Sequence, residues 1–250
     1  MEQLKDICKE SEYRDLVHRQ WGFADKLSLG RGINVLFCGA SGTGKTMAAE
    51  VIAHQLQLDL YKIDLSQIVS KYIGETEKNL NRIFTAATNS NAILLFDEAD
   101  ALFGKRSEVQ DTRDRYANIE VGYLLQKMEE HQGITILTTN LRDNIDKAFE
   151  RRLRFIVKFS LPDAQNRYSI WQKVFPKNAP CDVLDLEFLA QNFELSGASI
   201  RNIALSAAFL AADRDGVIKM THIVKATQRE YQKNGWVLRH KDLARYANEV

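Results

Sequence analysis

The sequence is poor in the residues that define several common protein classes. It has only three cysteines in 250 residues, at positions 8, 38 and 181. Their spacing fits neither a metal site nor a disulfide framework, so reduced thiols in a cytoplasmic protein are the expectation. Only three prolines occur, all after residue 160, and no low-complexity segment is present, so long linkers are not indicated.

Long apolar runs and an excess of one charge are absent too. No stretch approaches the ~20 apolar residues of a membrane-spanning helix, and the N-terminal MEQLKDICKE is no signal peptide. The 34 basic residues nearly balance 33 acidic ones, giving a net charge of +1. This balance argues against a dedicated binder of nucleic acid. The length allows one large or two smaller domains.

The most informative segment is CGASGTGKTMAAE, residues 38–50. It lies between an apolar, strand-like run and a segment with apolar residues at helical spacing. Gly39, Gly44, Lys45 and Thr46 fit the P-loop pattern G-x-x-x-x-G-K-[ST]. Backbone N–H groups of such a turn surround phosphates, and the helix N-terminus adds partial positive charge. The pattern predicts that Lys45 reaches the β- and γ-phosphates and that Thr46 ligates Mg²⁺.

A second motif supplies the acids that such a site requires. NAILLFDEAD, residues 91–100, has the pattern of a buried strand that ends in Asp97 and Glu98. Mg²⁺ prefers hard oxygen ligands and keeps several waters, so we expect Asp97 to hold it directly or through water. Glu98 is the candidate general base that polarises the attacking water. Acids after a strand are common, and only the P-loop upstream makes this pair informative.

Strand-like and helix-like patterns alternate through the first two thirds of the chain. This alternation predicts an α/β fold, a parallel sheet with helices on both faces. The functional loops of such a sheet follow the carboxyl ends of its strands. The strand patterns occupy residues 33–38, 59–65, 91–100, 134–140 and 155–160.

After residue 160 the strand patterns stop. We therefore predict an α/β domain over residues 1–160 and a small all-helical subdomain over 161–250, with SGAS at 196–199 capping one of its helices. The helical patterns there occupy residues 163–175, 185–193, 198–212 and 221–236.

These motifs resemble those of the AAA+ ATPases, and more narrowly the AAA clade that includes katanin, spastin and the membrane-anchored AAA proteases. The resemblance covers nearly the whole chain; it extends to residues 70–84, 138–140, 144–155 and 196–202. It implies a P-loop NTPase core with a helical lid, working as a homo-oligomeric ring, usually of six subunits, that binds ATP and Mg²⁺ at its interfaces. The chain is also similar to bacterial ATPases encoded beside phage-tail-like contractile injection machines.

The resemblance also implies roles for individual residues. Asn140 matches the sensor-one asparagine, which orients the lytic water, and Arg151 and Arg154 match two arginines that reach a neighbour's γ-phosphate. The usual glycine before the last arginine is Leu153 here, and Arg152 is an additional candidate. On the residues alone, ERRLR could instead be a solvated basic turn. The ATP contacts implied are Gly39, Ala40, Ser41, Gly42, Thr43, Gly44, Lys45, Thr46 and Met47, with Gly22 and Ala198.

Two further features remain: the position of Gly22 is the weaker one, and the loop at residues 71–74 is the most informative about function beyond ATPase activity. Gly22 is expected where the family places the adenine, with Trp21 packed near the base or simply in the core. Lys71, Tyr72, Ile73 and Gly74 match the loop that lines the family's central pore and grips a threaded polypeptide, although a single loop tyrosine is commonly a packing residue. Residues 103–115 match the second pore loop; loops of this length are commonly functional.

The first functional interpretation is an ATP-driven ring that remodels or unfolds a protein substrate through its pore loops. Two alternatives stay open: a nucleotide-dependent assembly factor that does not thread its partners, and a nucleic-acid-linked loader, against which the charge balance counts. Members of the clade normally carry an adaptor, protease or membrane segment before the core. We therefore expect either a core fragment or a stand-alone subunit that relies on partners.

Overall fold

A computed structural model describes residues 2–26, 30–65, 75–100, 112–140, 147–214 and 216–239, together with residues 243 and 246. For residues 112–120 and 147–148 it describes the backbone alone. The chain divides into two compact units. The first contains the described residues up to Ala40 and Lys45–Phe159, and the second contains Ser41–Gly44 and the described residues from Ser160 onwards.

A parallel sheet of five strands forms the centre of the first unit. The strand order is β2-β3-β4-β1-β5, and every pairing is parallel. All five strands were expected from the sequence, within a few residues at their ends. They are β1 (Ile33–Gly39), β2 (Leu60–Asp64), β3 (Ile93–Asp97), β4 (Ile134–Thr139) and β5 (Phe155–Phe159).

Helices cover both faces of this sheet, which confirms the predicted α/β fold. Successive side chains of a strand point to opposite faces. Val35 of β1 accordingly packs in the core beneath α1 and α2, whereas Leu36 packs in the core beneath α3 and α4. The helices are α1 (Glu2–Glu12), α2 (Lys45–Leu56), α3 (Glu75–Ser90), α4 (Thr112–Glu130) and the short α5 (Lys147–Glu150).

One boundary differs from the sequence expectation, and one helix was not predicted. No prediction was made for the residues before β1, and α1 forms there and buries Ile7 and Cys8 against the sheet. The predicted loop at 103–115 is too long at its end, because α4 begins at Thr112; residues 103–111 lie outside the described residues. Within the described ranges, no helix combines the length and the apolar character needed to cross a bilayer.

The second unit is helical, as expected, and three of its helices begin at side-chain caps. Asp163 accepts a hydrogen bond from the N–H of Asn166, and Ser196 accepts one from the N–H of Ser199, which confirms the predicted cap at 196–199. The fully buried Trp171 lies in the centre of its core. The helices are α6 (Ala164–Val174), α7 (Leu186–Asn192), α8 (Gly197–Ala212) and α9 (Met220–Lys233).

A buried histidine follows α4 in the first unit. His131 is 6% exposed, and its ring meets Phe84 edge-on at 5.4 Å between centroids. Its Nδ1 lies 3.3 Å from the Thr88 hydroxyl, whereas its Nε2 is buried without a hydrogen-bond partner among the described residues. Burial lowers the pKa of His131 from 6.5 to about 4, and the charge of Arg14 acts in the same direction.

Because of this histidine, we expect the stability of the first unit to decrease in acid. Because the folded-state pKa lies below the unfolded value, the unfolded chain takes up the proton first as the pH falls from about 6.5 to about 4. The free energy of unfolding of the parent should therefore decrease over that window by about 3 kcal/mol more than that of His131→Phe. Urea unfolding at several pH values measures this, with the exposed His54→Gln as control; parallel curves for parent and His131→Phe would contradict it.

Candidate active site

The predicted site residues follow the carboxyl ends of three neighbouring strands. β1 ends at Gly39, before the P-loop and α2; β3 ends at Asp97; β4 ends just before Asn140. Because β3, β4 and β1 are adjacent and parallel, these ends lie at one edge of the sheet. The structure thereby brings together Lys45, Thr46, Asp97 and Asn140, which are separated by up to 95 residues in the chain.

The start of the P-loop requires glycine. Gly39 has a φ of +147°, and a Cβ placed on it would lie 2.0 Å from the carbonyl oxygen of Phe159 on β5. No side chain fits such a distance. Gly44, directly before α2, has a φ of +97°, which side-chain-bearing residues rarely adopt. The glycines of the motif therefore allow the chain to turn from β1 into α2.

Lys45 lies in the mouth of this loop and is 8% exposed. Its ammonium group donates hydrogen bonds to the carbonyl oxygens of Gly39 (2.7 Å) and Ala40 (3.0 Å) and to Oδ1 of Asn140 (2.8 Å). Burial lowers the pKa of Lys45, and the nearby carboxylates of Asp100 and Asp97 act in the opposite direction. The loop thus holds a largely buried cation against neutral oxygens.

Asp97 receives hydrogen bonds from three elements. Thr46 of α2 donates to its Oδ2 at 3.2 Å, Thr138 of β4 donates to its Oδ1 at 2.5 Å, and the Lys62 ammonium of β2 lies 2.7 Å from Oδ2. Burial raises the pKa of Asp97, but the hydrogen bonds from Lys62, Thr138 and Thr46 outweigh it and hold that pKa below its ordinary value. Asp97 is therefore a fixed, ionised carboxylate.

The paired oxygens of Thr46 and Asp97 fit a Mg²⁺ site. A hydroxyl and a carboxylate are hard oxygen donors, and their separation of 3.2 Å allows both to face one small cation. The Lys62 ammonium already places a positive charge beside this carboxylate. No motif in the sequence marked Lys62, since only the cross-strand register brings it to Asp97.

Glu98 stands beside Asp97 in an unusual backbone conformation. Its φ is +53°, in the left-handed region that residues with side chains seldom adopt, and its N–H donates to the Thr138 hydroxyl at 3.1 Å. The side chain is exposed to solvent. Strained backbone of this kind occurs often at functional sites, so Glu98 is a candidate functional residue.

Asn140 is held by a residue that the sequence analysis did not single out. Asp100 accepts hydrogen bonds from the backbone N–H of Asn140 at 2.8 Å and from its side-chain amide at 3.2 Å, and it also accepts one from the Thr139 hydroxyl. The Oδ1 of Asn140 meanwhile accepts from Lys45. Asp100 therefore orients the amide whose other end contacts the P-loop lysine.

The predicted arginines are not brought to this edge. Arg154 immediately precedes β5, whose last residue, Phe159, pairs with Gly39. At about 3.3 Å per residue, it lies about 16 Å along the sheet from the P-loop. Arg154 forms an ion pair with Glu10 of α1 (3.1 Å) and Arg152 forms one with Glu129 (2.6 Å). Arg151 is exposed and makes no ion pair with the residues that the structure describes.

The remaining predicted contacts have different outcomes. Within the second unit, Ala198 donates its N–H to the carbonyl of Gly42 in the P-loop tip at 3.1 Å. Gly22 has a φ of +75°, and the described hydrogen bonds do not connect it to the loop. Trp21 is 65% exposed, so the alternative that it belongs to the core is wrong.

Met47, the last of the predicted ATP contacts in the P-loop segment, is exposed on α2. Outside the described residues lie Lys71, Tyr72, Ile73 and Gly74.

Comparison with known proteins finds one matching family and many relatives. Residues 35–162 match the "ATPase family associated with various cellular activities (AAA)". A 26S proteasome regulatory subunit 6B homolog from Dictyostelium discoideum is 35% identical over 71% of this chain and 46% of its own length. An ATP-dependent zinc metalloprotease FtsH from Lachnoclostridium phytofermentans is 34% identical over 77% of this chain and 35% of its own.

An archaeal relative has a similar degree of likeness. A proteasome-activating nucleotidase from Saccharolobus islandicus is 32% identical over 75% of this chain and 49% of its own length. The chain thus spans less than half the length of each of these three relatives.

We expect the substitution of threonine by valine to have different effects on stability at two positions of β4. Thr138→Val removes a donor to Asp97 and the acceptor of the Glu98 N–H, so the free energy of unfolding should fall by about 1–3 kcal/mol. Thr135 is equally buried, but its hydroxyl has no hydrogen-bond partner among the described residues. Thr135→Val should therefore be neutral or stabilising. Urea unfolding of the two variants measures the difference; equal losses would contradict the role assigned to the Thr138 hydroxyl.

Proposed function

The chain belongs to the AAA family and is an ATPase, and we propose that it binds Mg²⁺·ATP at the carboxyl edge of its sheet and uses hydrolysis to remodel a protein partner. The observation that carries this proposal is the network joining Lys45, Thr46, Asp97 and Asn140. These residues come from three separate segments, and each matches the chemistry that phosphoryl transfer needs.

Binding follows from the P-loop. The Lys45 ammonium now donates to two carbonyls of its own loop, and phosphate oxygens are stronger acceptors for it because they carry charge. In P-loops generally, the backbone N–H groups of the loop and the N-terminus of the following helix bind phosphate oxygens. We therefore assign the β- and γ-phosphates to Lys45 and the loop Gly39–Gly44, with Thr46 and Asp97 as the residues that hold Mg²⁺. The metal supplies neutralisation of charge on the phosphate oxygens.

Hydrolysis needs a base and an oriented water. Glu98 is an exposed carboxylate directly after the metal ligand, so it can accept the proton of the attacking water. Asn140 is held by Asp100 and already contacts Lys45, which fits it for orienting that water near the γ-phosphate. Thr138 connects the two acids, because its hydroxyl binds both Asp97 and the Glu98 backbone.

The position of the arginines supports assembly with a second copy. Phosphoryl transfer gains ~10³–10⁵ in rate from an arginine beside the γ-phosphate. Arg154 lies about 16 Å along β5 from the P-loop of its own chain, so an arginine of this turn would reach a γ-phosphate from a neighbouring subunit. Arg151 is our candidate for the main finger, since Arg152 and Arg154 are engaged with Glu129 and Glu10. A ring of six subunits is the arrangement that the family resemblance implies.

Protein is the partner that the relatives favour. Two of those compared are named for the proteasome and one as an ATP-dependent protease, which supports an ATP-driven action on polypeptides. Threading by Lys71–Gly74 stays a prediction, as do the assembly-factor and loader alternatives, a cytoplasmic location and an association with contractile injection machines. An adaptor or a further domain in the whole protein remains part of the proposal.

Two separate variants should distinguish the residues needed for ATP binding from those needed for ATP hydrolysis. Lys45→Ala should lose tight ATP binding because the point charge at the phosphates is gone. Glu98→Gln should bind ATP as tightly as the parent but hydrolyse it ~10²–10⁴ times more slowly. Calorimetry and phosphate release measure the two effects, with the exposed Glu187→Gln as control. Normal binding by Lys45→Ala, or normal turnover by Glu98→Gln, would contradict the site assignment.

Mixing two inactive variants tests the arginine in trans. Arg151→Ala should reduce the assembled rate by ~10³, while Arg214→Ala, an exposed control, should leave it unchanged. An equal mixture of Arg151→Ala and Glu98→Gln should recover up to about a quarter of the parent rate, because that fraction of random interfaces carries both groups. If the mixture stays inactive although the subunits co-assemble, Arg151 does not act across the interface.

A further inference from the structure

We propose that Lys62 is a built-in counter-ion of the magnesium site: its ammonium group occupies the Asp97 carboxylate when Mg²⁺ is absent and leaves it when Mg²⁺·ATP binds. The affinity of the site for Mg²⁺ is then set by competition between a tethered cation and a free one. This inference rests on the proposed function, since it adds a positioning residue to the same site.

The register of the sheet directs Lys62 to this carboxylate. Lys62 pairs with Leu95 and Asp64 pairs with Asp97, so Lys62 and Asp97 lie on the same face of adjacent strands, two residues out of step. An extended lysine side chain spans that offset. Its Nζ reaches Oδ2 of Asp97 at 2.7 Å, which is the length of a strong charge-assisted hydrogen bond.

The surroundings favour a cation at this point. Besides Asp97, the carboxylates of Glu50 and Glu98 exert an electrostatic attraction on the Lys62 ammonium. The Asp97 side chain is only 16% exposed, so its charge needs a partner in the nucleotide-free protein. Lys62 supplies that partner, while Thr46 and Thr138 hold the same carboxylate in place.

Mg²⁺ and the Lys62 ammonium compete for Oδ2. A Mg²⁺ ligand lies at about 2.0–2.1 Å from the metal. An ammonium 2.7 Å from the same oxygen would then stand close to a divalent ion and be repelled by it. The lysine can move away, since its side chain is 59% exposed and its four-carbon stem is flexible. Metal loading therefore requires the release of one ion pair.

The test is the Mg²⁺ dependence of nucleotide binding. ATP affinity is measured at increasing free Mg²⁺ in the Glu98→Gln background, which prevents hydrolysis. Adding Lys62→Met or Lys62→Gln should lower the half-saturating Mg²⁺ concentration about threefold to tenfold, because the competing ion pair is gone. Affinity in Mg²⁺-free buffer should not change, and Lys62→Arg, which keeps the charge, should resemble the parent.

A matched control separates this effect from the loss of any lysine. Lys127 forms a comparable ion pair with Glu130 at 2.8 Å on α4, away from the site, and Lys127→Met should leave the Mg²⁺ dependence unchanged. A second readout needs no nucleotide. Mg²⁺ alone should raise the melting temperature of Lys62→Met more than that of the parent, because the Asp97 carboxylate is then unneutralised.

Three outcomes are decisive. An unchanged half-saturating Mg²⁺ concentration in both neutral variants overturns the inference. So does a loss of ATP affinity in Mg²⁺-free buffer, which would make Lys62 a phosphate ligand. If the Glu98→Gln chain itself binds no ATP, the proposed function fails, and the melting-temperature comparison with Mg²⁺ alone still decides the role of Lys62.

Discussion

The Asp97 carboxylate is the group on which the rest of the site depends. It is a largely buried charge, and such a charge is tolerated only when hydrogen bonds and an opposite charge satisfy it. Its partners come from α2, β2 and β4, so satisfying one carboxylate fixes the relative positions of three further elements. The same requirement aligns the P-loop threonine with this carboxylate, the proposed ligand of Mg²⁺, and holds the backbone of Glu98. Fold stability and the proposed metal site thus share one set of contacts.

Much of this architecture could be predicted from local patterns. The five strands follow from short apolar runs, and Lys45, Thr46 and Asp97 follow from motifs whose spacing has a chemical reason. The convergence of Lys45 and Asn140 also follows, because both lie at the carboxyl ends of adjacent parallel strands. Local patterns thus predict well those side chains that a single strand and the turn after it bring to the site.

The residues that were missed depend on contacts between distant segments. Lys62 resembles any exposed lysine in an alternating strand until its register with β3 is known. In the sequence, Asp100 is only the last residue of an acidic run, and the fold brings it to Asn140. The helix α1 has few apolar residues, and its two buried ones, Ile7 and Cys8, find their partners on the sheet. The three arginines likewise lie close together in sequence, yet each has different surroundings in the fold. No local pattern could therefore indicate which of them is the best candidate for the arginine that acts on a neighbour's γ-phosphate.

The approach of β1 to β5 at Gly39 has a consequence for how natural variation in this chain should be interpreted. The site for a single methyl group there is taken by a backbone oxygen of β5, so the first residue of the P-loop is also part of the seam between two strands. A substitution at this position would separate the strands as well as displace the phosphate loop. Its phenotype would be reduced protein abundance, whereas a substitution of Glu98, which is exposed, would leave abundance intact. Two variants within the proposed ATP site would then be distinguished by how much protein persists in the cell.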